Sequence, residues 1–302
     1  MDDAQIQNLC GWAHEIAEDE FARLSDNFVT FMCDGGLTEP GPPIWEAAKR
    51  VNDGKHLETW FQETGDCVSM GASQATEYLN CYEIAVLKDE EEFHRIFPPF
   101  VYGISRCAPD CGNGQLGRQA GSTGAWAATA MMKYGMLFVD DEGCPRYSGN
   151  LADSWGRRGP PDQFKGIARD NLVKQASRLT STDQMRTGLI NYNPCTYAIM
   201  WDYGDSAVEY KGYRVMRKGR GMGGHQVCLL AWMDEPFEAA FCLNSWGKER
   251  HAGPDNGEPL GGAWILRQDL ERDLQSGQTE VYGLSGFSGV AGKEWWGLFG
   301  QH

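Results

Sequence analysis

Gln62-Glu63-Thr64-Gly65-Asp66-Cys67-Val68-Ser69-Met70-Gly71 is the stretch on which the reading of this chain turns. It ends a loop and opens a helix with a cysteine at the first helical position. Asp66 is placed to cap that helix, because its carboxylate can accept from the free N–H groups of the first turn. Val68, Gly71, Ala72, Ala75, Leu79, Tyr82 and Val86 then recur at helical spacing, which predicts one buried face of mostly small residues. A thiol at a helix N-terminus lies in the positive end of the macrodipole, which favours the thiolate. A lone cysteine so placed is more often a small buried hydrophobe, so its chemistry depends on what the rest of the chain brings to it.

Downstream, Gly223-Gly224-His225-Gln226-Val227 opens a strand and Leu243-Asn244-Ser245-Trp246-Gly247 closes the next. Cleaving a peptide bond needs a nucleophile, a proton shuttle and a group that orients the shuttle. A Gln-x-x-Gly-x-Cys sequence followed by Gly-His-x-Val and Asn-Ser-Trp-Gly resembles the papain-like cysteine peptidases. The resemblance implies an α+β, two-lobed fold, with a helical lobe followed by an antiparallel β lobe and the active-site cleft between them. It further implies a thiol peptidase working through an acyl-enzyme thioester. Cys67 would be the nucleophile, held as thiolate by an ion pair with His225, and Asn244 would orient the imidazole. Trp246 would cover the His–Asn hydrogen bond, and the Cys67 N–H with the Gln62 amide would receive the oxyanion.

The resemblance extends to Gly121-Ser122-Thr123-Gly124-Ala125-Trp126, a Gly-rich turn entering a helix. In relatives the backbone of this turn pairs with an extended substrate, which makes Gly121, Ser122, Thr123, Gly124 and Trp126 the candidate substrate-binding residues. Relatives have a small residue before the nucleophile and a tryptophan after it, where this chain has Asp66 and Val68. Gln62 stands five positions before Cys67 where relatives have six, which displaces the expected oxyanion amide by one residue. His225 and Asn244 follow Cys67 by 225 − 67 = 158 and 244 − 67 = 177 residues, against roughly 130–150 in the family signature.

Composition bounds the alternatives. Lys+Arg 27 against Asp+Glu 42 gives a net charge of −15, the wrong field for nucleic acid. No run approaches the ~20 apolar residues of a membrane span, and Met1-Asp2-Asp3-Ala4 lacks the layout of a signal peptide. The expectation is a cytoplasmic or virion-associated chain with no cofactor and no metal. Cys107-Ala108-Pro109-Asp110-Cys111 is the one close cysteine pair, read as a disulfide or two plain thiols. His251, just past the Asn-Ser-Trp-Gly turn, is expected to be a surface or hydrogen-bonded histidine.

Along the chain, residues 1–54 read as a docking leader, 55–270 as the catalytic domain and 271–302 as a Gly- and aromatic-rich tail. Residues 1–24 carry one apolar stripe (Ile6, Leu9, Cys10, Ala13, Ile16, Ala17, Phe21, Leu24), which predicts a single amphipathic helix. That helix and Trp295-Trp296-Gly297-Leu298-Phe299 are the candidate surfaces for a protein partner or a homo-oligomer. Phe97 to Tyr102 reads as extended, Gly124 to Tyr134 as a helix stopped by Gly135, and Asp162 to Leu179 as a helix. Ser181 caps a short helix to Ile190. Strands are expected at 196–201, 213–217, 226–232, 239–244 and 262–266. Two other readings use the same frame: a structural component of an assembly such as a phage particle, and a Cys-His amidase acting on peptidoglycan or isopeptide bonds.

Overall fold

The computed structural model describes residues 3–31, 36–88, 92–204 and 206–288. The helices are α1 (Asp3–Leu9), α2 (His14–Leu24), α3 (Ile44–Val51), α4 (Cys67–Tyr82), α5 (Pro98–Cys107), α6 (Gly124–Lys133), α7 (Gly149–Arg158), α8 (Asp162–Ala168), α9 (Thr182–Ile190) and α10 (Arg267–Gln275). The strands are β1 (Leu172–Arg178), β2 (Cys195–Tyr203), β3 (Val208–Tyr210), β4 (Tyr213–Val215), β5 (Lys218–Met233), β6 (Ala239–Leu243), β7 (Gly262–Leu266) and β8 (Thr279–Ser288). They form one sheet in the order β1-β8-β2-β5-β6-β7-β4-β3, antiparallel except for the β4–β7 pair. This is the α+β layout expected from the sequence, with most helices before the strands.

The cysteine does open a helix. However, α4 is buried from Cys67 to Cys81, not along one face as its periodicity suggests. It packs on β5 on one side and on α3 and α5 on others, which explains its run of Gly, Ala and Ser. At Gly71 a Cβ would come within 2.8 Å of the Val227 carbonyl oxygen, so helix and strand approach backbone to backbone. That approach sets β5, and His225 on it, beside the start of α4.

Three segments differ from the sequence reading. Residues 1–24 are two helices, because the chain leaves helical geometry over residues 10–13 and bonds outward instead. Trp12 N–H donates to Gly224 O (2.9 Å) and Ala13 N–H to Ser122 O (2.9 Å), while Gly11 O accepts from Ser122 N–H (2.8 Å). Phe97 to Tyr102, expected as extended, enters α5; Pro98 and Pro99 occupy its first turn, where a fixed φ and a missing N–H cost nothing. The helix expected over 162–179 stops at Ala168, and Leu172–Arg178 is the edge strand β1 paired with β8.

The stretch from 271, read as the start of a tail, completes α10 and then forms β8, which lies between β1 and β2. The Trp295–Phe299 cluster and most of the acidic run at 89–92 lie outside the described residues. Cys107 and Cys111 are both free thiols, as are all the described cysteines. Among the described residues no helix is long and apolar enough to cross a membrane, and no cluster of side chains has metal-ligating geometry.

Candidate active site

The strand register brings His225 opposite Ile199 on β2, and Asn244 follows directly on β6. His225 Nε2 and Asn244 Oδ1 are 2.9 Å apart, and the Ser245 N–H also donates to Oδ1 at 2.7 Å. A backbone N–H can only donate, so that atom is the amide oxygen and His225 carries its proton on Nε2. Nδ1 of the neutral ring is then the basic nitrogen. It is buried and has no partner.

Aromatic rings hold the imidazole on two sides. Trp246 stacks on it with centroids 4.5 Å apart at 26°, and Trp201 meets it edge-on at 5.1 Å. The cover expected of Trp246 is therefore present, and Trp246 itself is 2 % exposed.

The triad has a fourth member that the sequence reading passed over. His251 is buried, and its Nε2 lies 3.1 Å from Asn244 Nδ2. An unprotonated Nε2 accepts the amide N–H, so the carboxamide is fixed at both ends. Burial first, and the Arg250 charge next, push His251 down to about 3, which keeps it the acceptor this role requires. No signal in the sequence pointed to it: the loop after Gly247 folds back through a left-handed residue, His251 itself at φ 54.

Cys67 stands at the start of α4, and backbone N–H groups of Gln226 and Gly11 lie within hydrogen-bonding reach of its thiol. Gln226 is the neighbour of His225 on β5, so the thiol and the imidazole share one end of the helix–strand contact. Burial pushes the Cys67 thiol well above its ordinary range, and burial pushes His225 down to about 4. In this conformation the pair is a neutral thiol beside a neutral imidazole, not the ion pair expected for a working site.

The cause of that burial is the leader. Residues 9–13 form a strap along the cleft, and Trp12 pairs with Ser122 as a parallel bridge. Gln62 Nε2 donates to the strap's Leu9 carbonyl at 2.7 Å and to Thr64 O at 2.8 Å, while its Oε1 accepts from Ser245 Oγ at 2.5 Å. The amide expected to receive an oxyanion is thus already engaged by a peptide carbonyl. Glycines line the passage. A Cβ on Gly11 would overlap the Gly65 carbonyl, and one on Gly224 would overlap the Trp12 carbonyl. At Gly121, φ is +110 and a Cβ would strike the Gly11 carbonyl.

Of the expected substrate-binding residues, Gly121 and Ser122 meet the strap. Thr123 caps α6, its Oγ1 accepting from Trp126 N–H. Gly124 N–H donates to Glu280. Trp126 does not face the cleft; it is buried in the core and its Nε1–H donates to Glu20 of α2 at 2.7 Å.

Asp66 does not cap α4. Its φ and ψ of −102 and 20 turn the side chain away from the helix N–H groups, and it makes no capping bond. Oδ2 instead accepts from the Tyr147 hydroxyl at 3.2 Å, and buried Oδ1 has no partner. Burial raises Asp66 to about 8, with the Tyr147 bond opposing. A carboxyl whose folded pKa lies above its unfolded value binds more protons in the native state, so its contribution to stability is lost as pH rises from about 4 to about 8. Asp66→Asn is expected to be near neutral below about pH 4 and to gain at least about 1 kcal/mol over the unaltered chain by pH 8. Urea unfolding of both chains across that range checks it. The histidine contributions have the opposite sign, being lost as pH falls below about 6.5, and they cancel in the comparison.

No protein-family model matches the chain, and no curated protein matches it by sequence. Solved structures do match. Xylellain, a cysteine protease from Xylella fastidiosa, aligns at TM-score 0.55 and 15 % identity over 86 % of this chain and 95 % of its own. A procathepsin B from Trypanosoma congolense aligns at 0.63 and 13 % over 95 % and 90 %. Procathepsin L 3 from Tenebrio molitor aligns at 0.57 and 10 % over 95 % and 80 %. With the element order and sheet described above, these likenesses establish that the chain has the papain-like α+β fold of cysteine proteases.

Proposed function

We propose that this protein is a thiol peptidase whose cleft is covered by its own residues 9–13. The observation that carries the reading is the His225–Asn244 hydrogen bond, which leaves a buried, unpartnered Nδ1 on the strand that also supplies an N–H to the Cys67 thiol. With the strap displaced, Nδ1 takes the thiol proton and Cys67 Sγ attacks the substrate carbonyl carbon. The Gln62 amide and the Cys67 N–H receive the oxyanion. The imidazolium then gives its proton to the departing amine, leaving a thioester on Cys67. Water, deprotonated by Nδ1, attacks the thioester, and the thiol recovers its proton as the acid leaves.

The Leu9 carbonyl on Gln62 supports that assignment, since the amide already holds a peptide oxygen despite standing one residue nearer the nucleophile than in relatives. The test is hydrolysis of a casein-type substrate by a full-length chain carrying Gly11→Val, in which the strap cannot seat. The expected result is cleavage that Cys67→Ser abolishes. Cleavage that survives Cys67→Ser, or none at all from a chain whose Cys67 is accessible, would remove the reading.

A further inference from the structure

The Trp12 indole ends on a buried carboxylate. Its Nε1–H donates to Glu280 Oε2 at 2.8 Å, and Glu280, on β8, is 1 % exposed. The same carboxylate accepts the Gly124 and Ala125 N–H groups at 2.7 and 2.8 Å and the Tyr282 hydroxyl at 2.9 Å, with Arg178 Nη1 4.0 Å away. Backbone N–H groups at the start of α6 and a guanidinium are what a buried carboxylate needs to remain charged. Three of its four donors belong to the β8–α6 contact and stay when the strap leaves. The fourth belongs to the strap.

The space taken by the indole is a pocket of the cleft. Ser122 on the Gly-rich turn pairs with the Trp12 backbone, Gly224 on β5 lies against its Cβ, and Glu280 closes the far end. A cavity of about 310 Å³ opens alongside, between the strap and residues 277–279.

Resting on the peptidase reading, we propose that Glu280 is the floor of the pocket that selects substrate. The side chain it accepts is a large one ending in an N–H donor. Tryptophan is the template, because Trp12 occupies the pocket now; arginine is the other natural side chain of that reach and chemistry. A substrate without a donor leaves a Glu280 oxygen desolvated and unpaired, and a site built to hydrogen-bond rejects such analogues more strongly than an apolar site rejects a size change.

The experiment uses the full-length Gly11→Val chain and peptidyl epoxide probes varied at the two residues before the reactive group. Tryptophan is compared with 2-naphthylalanine, which has its bulk but no N–H, and arginine with norleucine. The readout is the second-order rate of Cys67 modification, mapped by mass. The donor-bearing probe of each pair is expected to react about tenfold faster or more. Glu280→Gln should keep the tryptophan preference, since an amide oxygen still accepts, and reduce the arginine preference with the loss of charge.

Equal rates within both pairs would overturn the proposal, whether or not the Glu280→Gln chain folds. Hydrolysis of a tryptophan peptide is read separately. Probe preference without hydrolysis would retain the pocket and sink the peptidase reading, whereas hydrolysis without preference would sink the pocket alone.

Discussion

A full-length chain carrying Gly11→Val is expected to be alkylated at Cys67 about 100-fold faster than the unaltered chain at the same pH. The strap is seated through backbone contacts on three sides, with Gly65, Gly121 and Gly224 each leaving no room for a side chain across from it. A Cβ on Gly11 would lie inside the Gly65 carbonyl oxygen. Overpacking a close-fitting site costs about 1–3 kcal/mol, and each 1.36 kcal/mol is tenfold in the population of the open form.

The strap yields before the lobes do. Residues 10–13 are held by a few hydrogen bonds, whereas Gly65 sits between Cys67 at the head of the central helix and Gln62, which is tied to Ser245. Iodoacetamide labelling with mass mapping reads the result, and buried Cys228 and Cys242, far from the strap in the sheet, serve as internal references. An unchanged Cys67 rate would show that something other than residues 9–13 covers the thiol.

His225→Ala in that opened chain is expected to lower kcat for peptide hydrolysis by about 10³–10⁴. One nitrogen performs three proton transfers in the proposed cycle: from the thiol, to the leaving amine and from the attacking water. Asn244 and His251 can only orient it. With Nε2 tied to Asn244 and Nδ1 unpartnered, no other described side chain stands ready to take over. A loss of only a few fold would mean that the imidazole is a packing residue between Trp201 and Trp246.

How much of this was legible in the sequence depended on how local the signal was. The start of α4, the caps of α6 and α9, and the strands carrying His225 and Asn244 were readable because each rests on residues within a turn or a few alternations. The strap was not. Ile6, Leu9, Ala13, Ile16 and Ala17 keep helical phase straight through Gly11, and what breaks the helix is bonding to Ser122 and Gly224, far along the chain. The same holds for Glu280, whose partners Trp12, Gly124 and Ala125 come from distant segments.

Asp66 misled for a different reason. Its residue type and position suit a cap, but the backbone before Cys67 is not extended, so the carboxylate cannot reach the first turn. In β8, Glu280, Tyr282 and Leu284 alternate inward, a pattern masked by Gly283 and Gly286. The Pro-Pro pair at 98–99 was a helix-start signal read as an extended one.

The pH dependence of Cys67 alkylation in the full-length Gly11→Val chain, with and without His225→Ala, tests the central claim most directly. If the uncovered thiol and imidazole form a pair, the rate should already be high near pH 6 and nearly flat to pH 8. The His225→Ala chain should instead climb about tenfold per pH unit toward an ordinary thiol value near 8.5. Superimposable profiles would contradict the account, because they would mean that His225 does not act on Cys67.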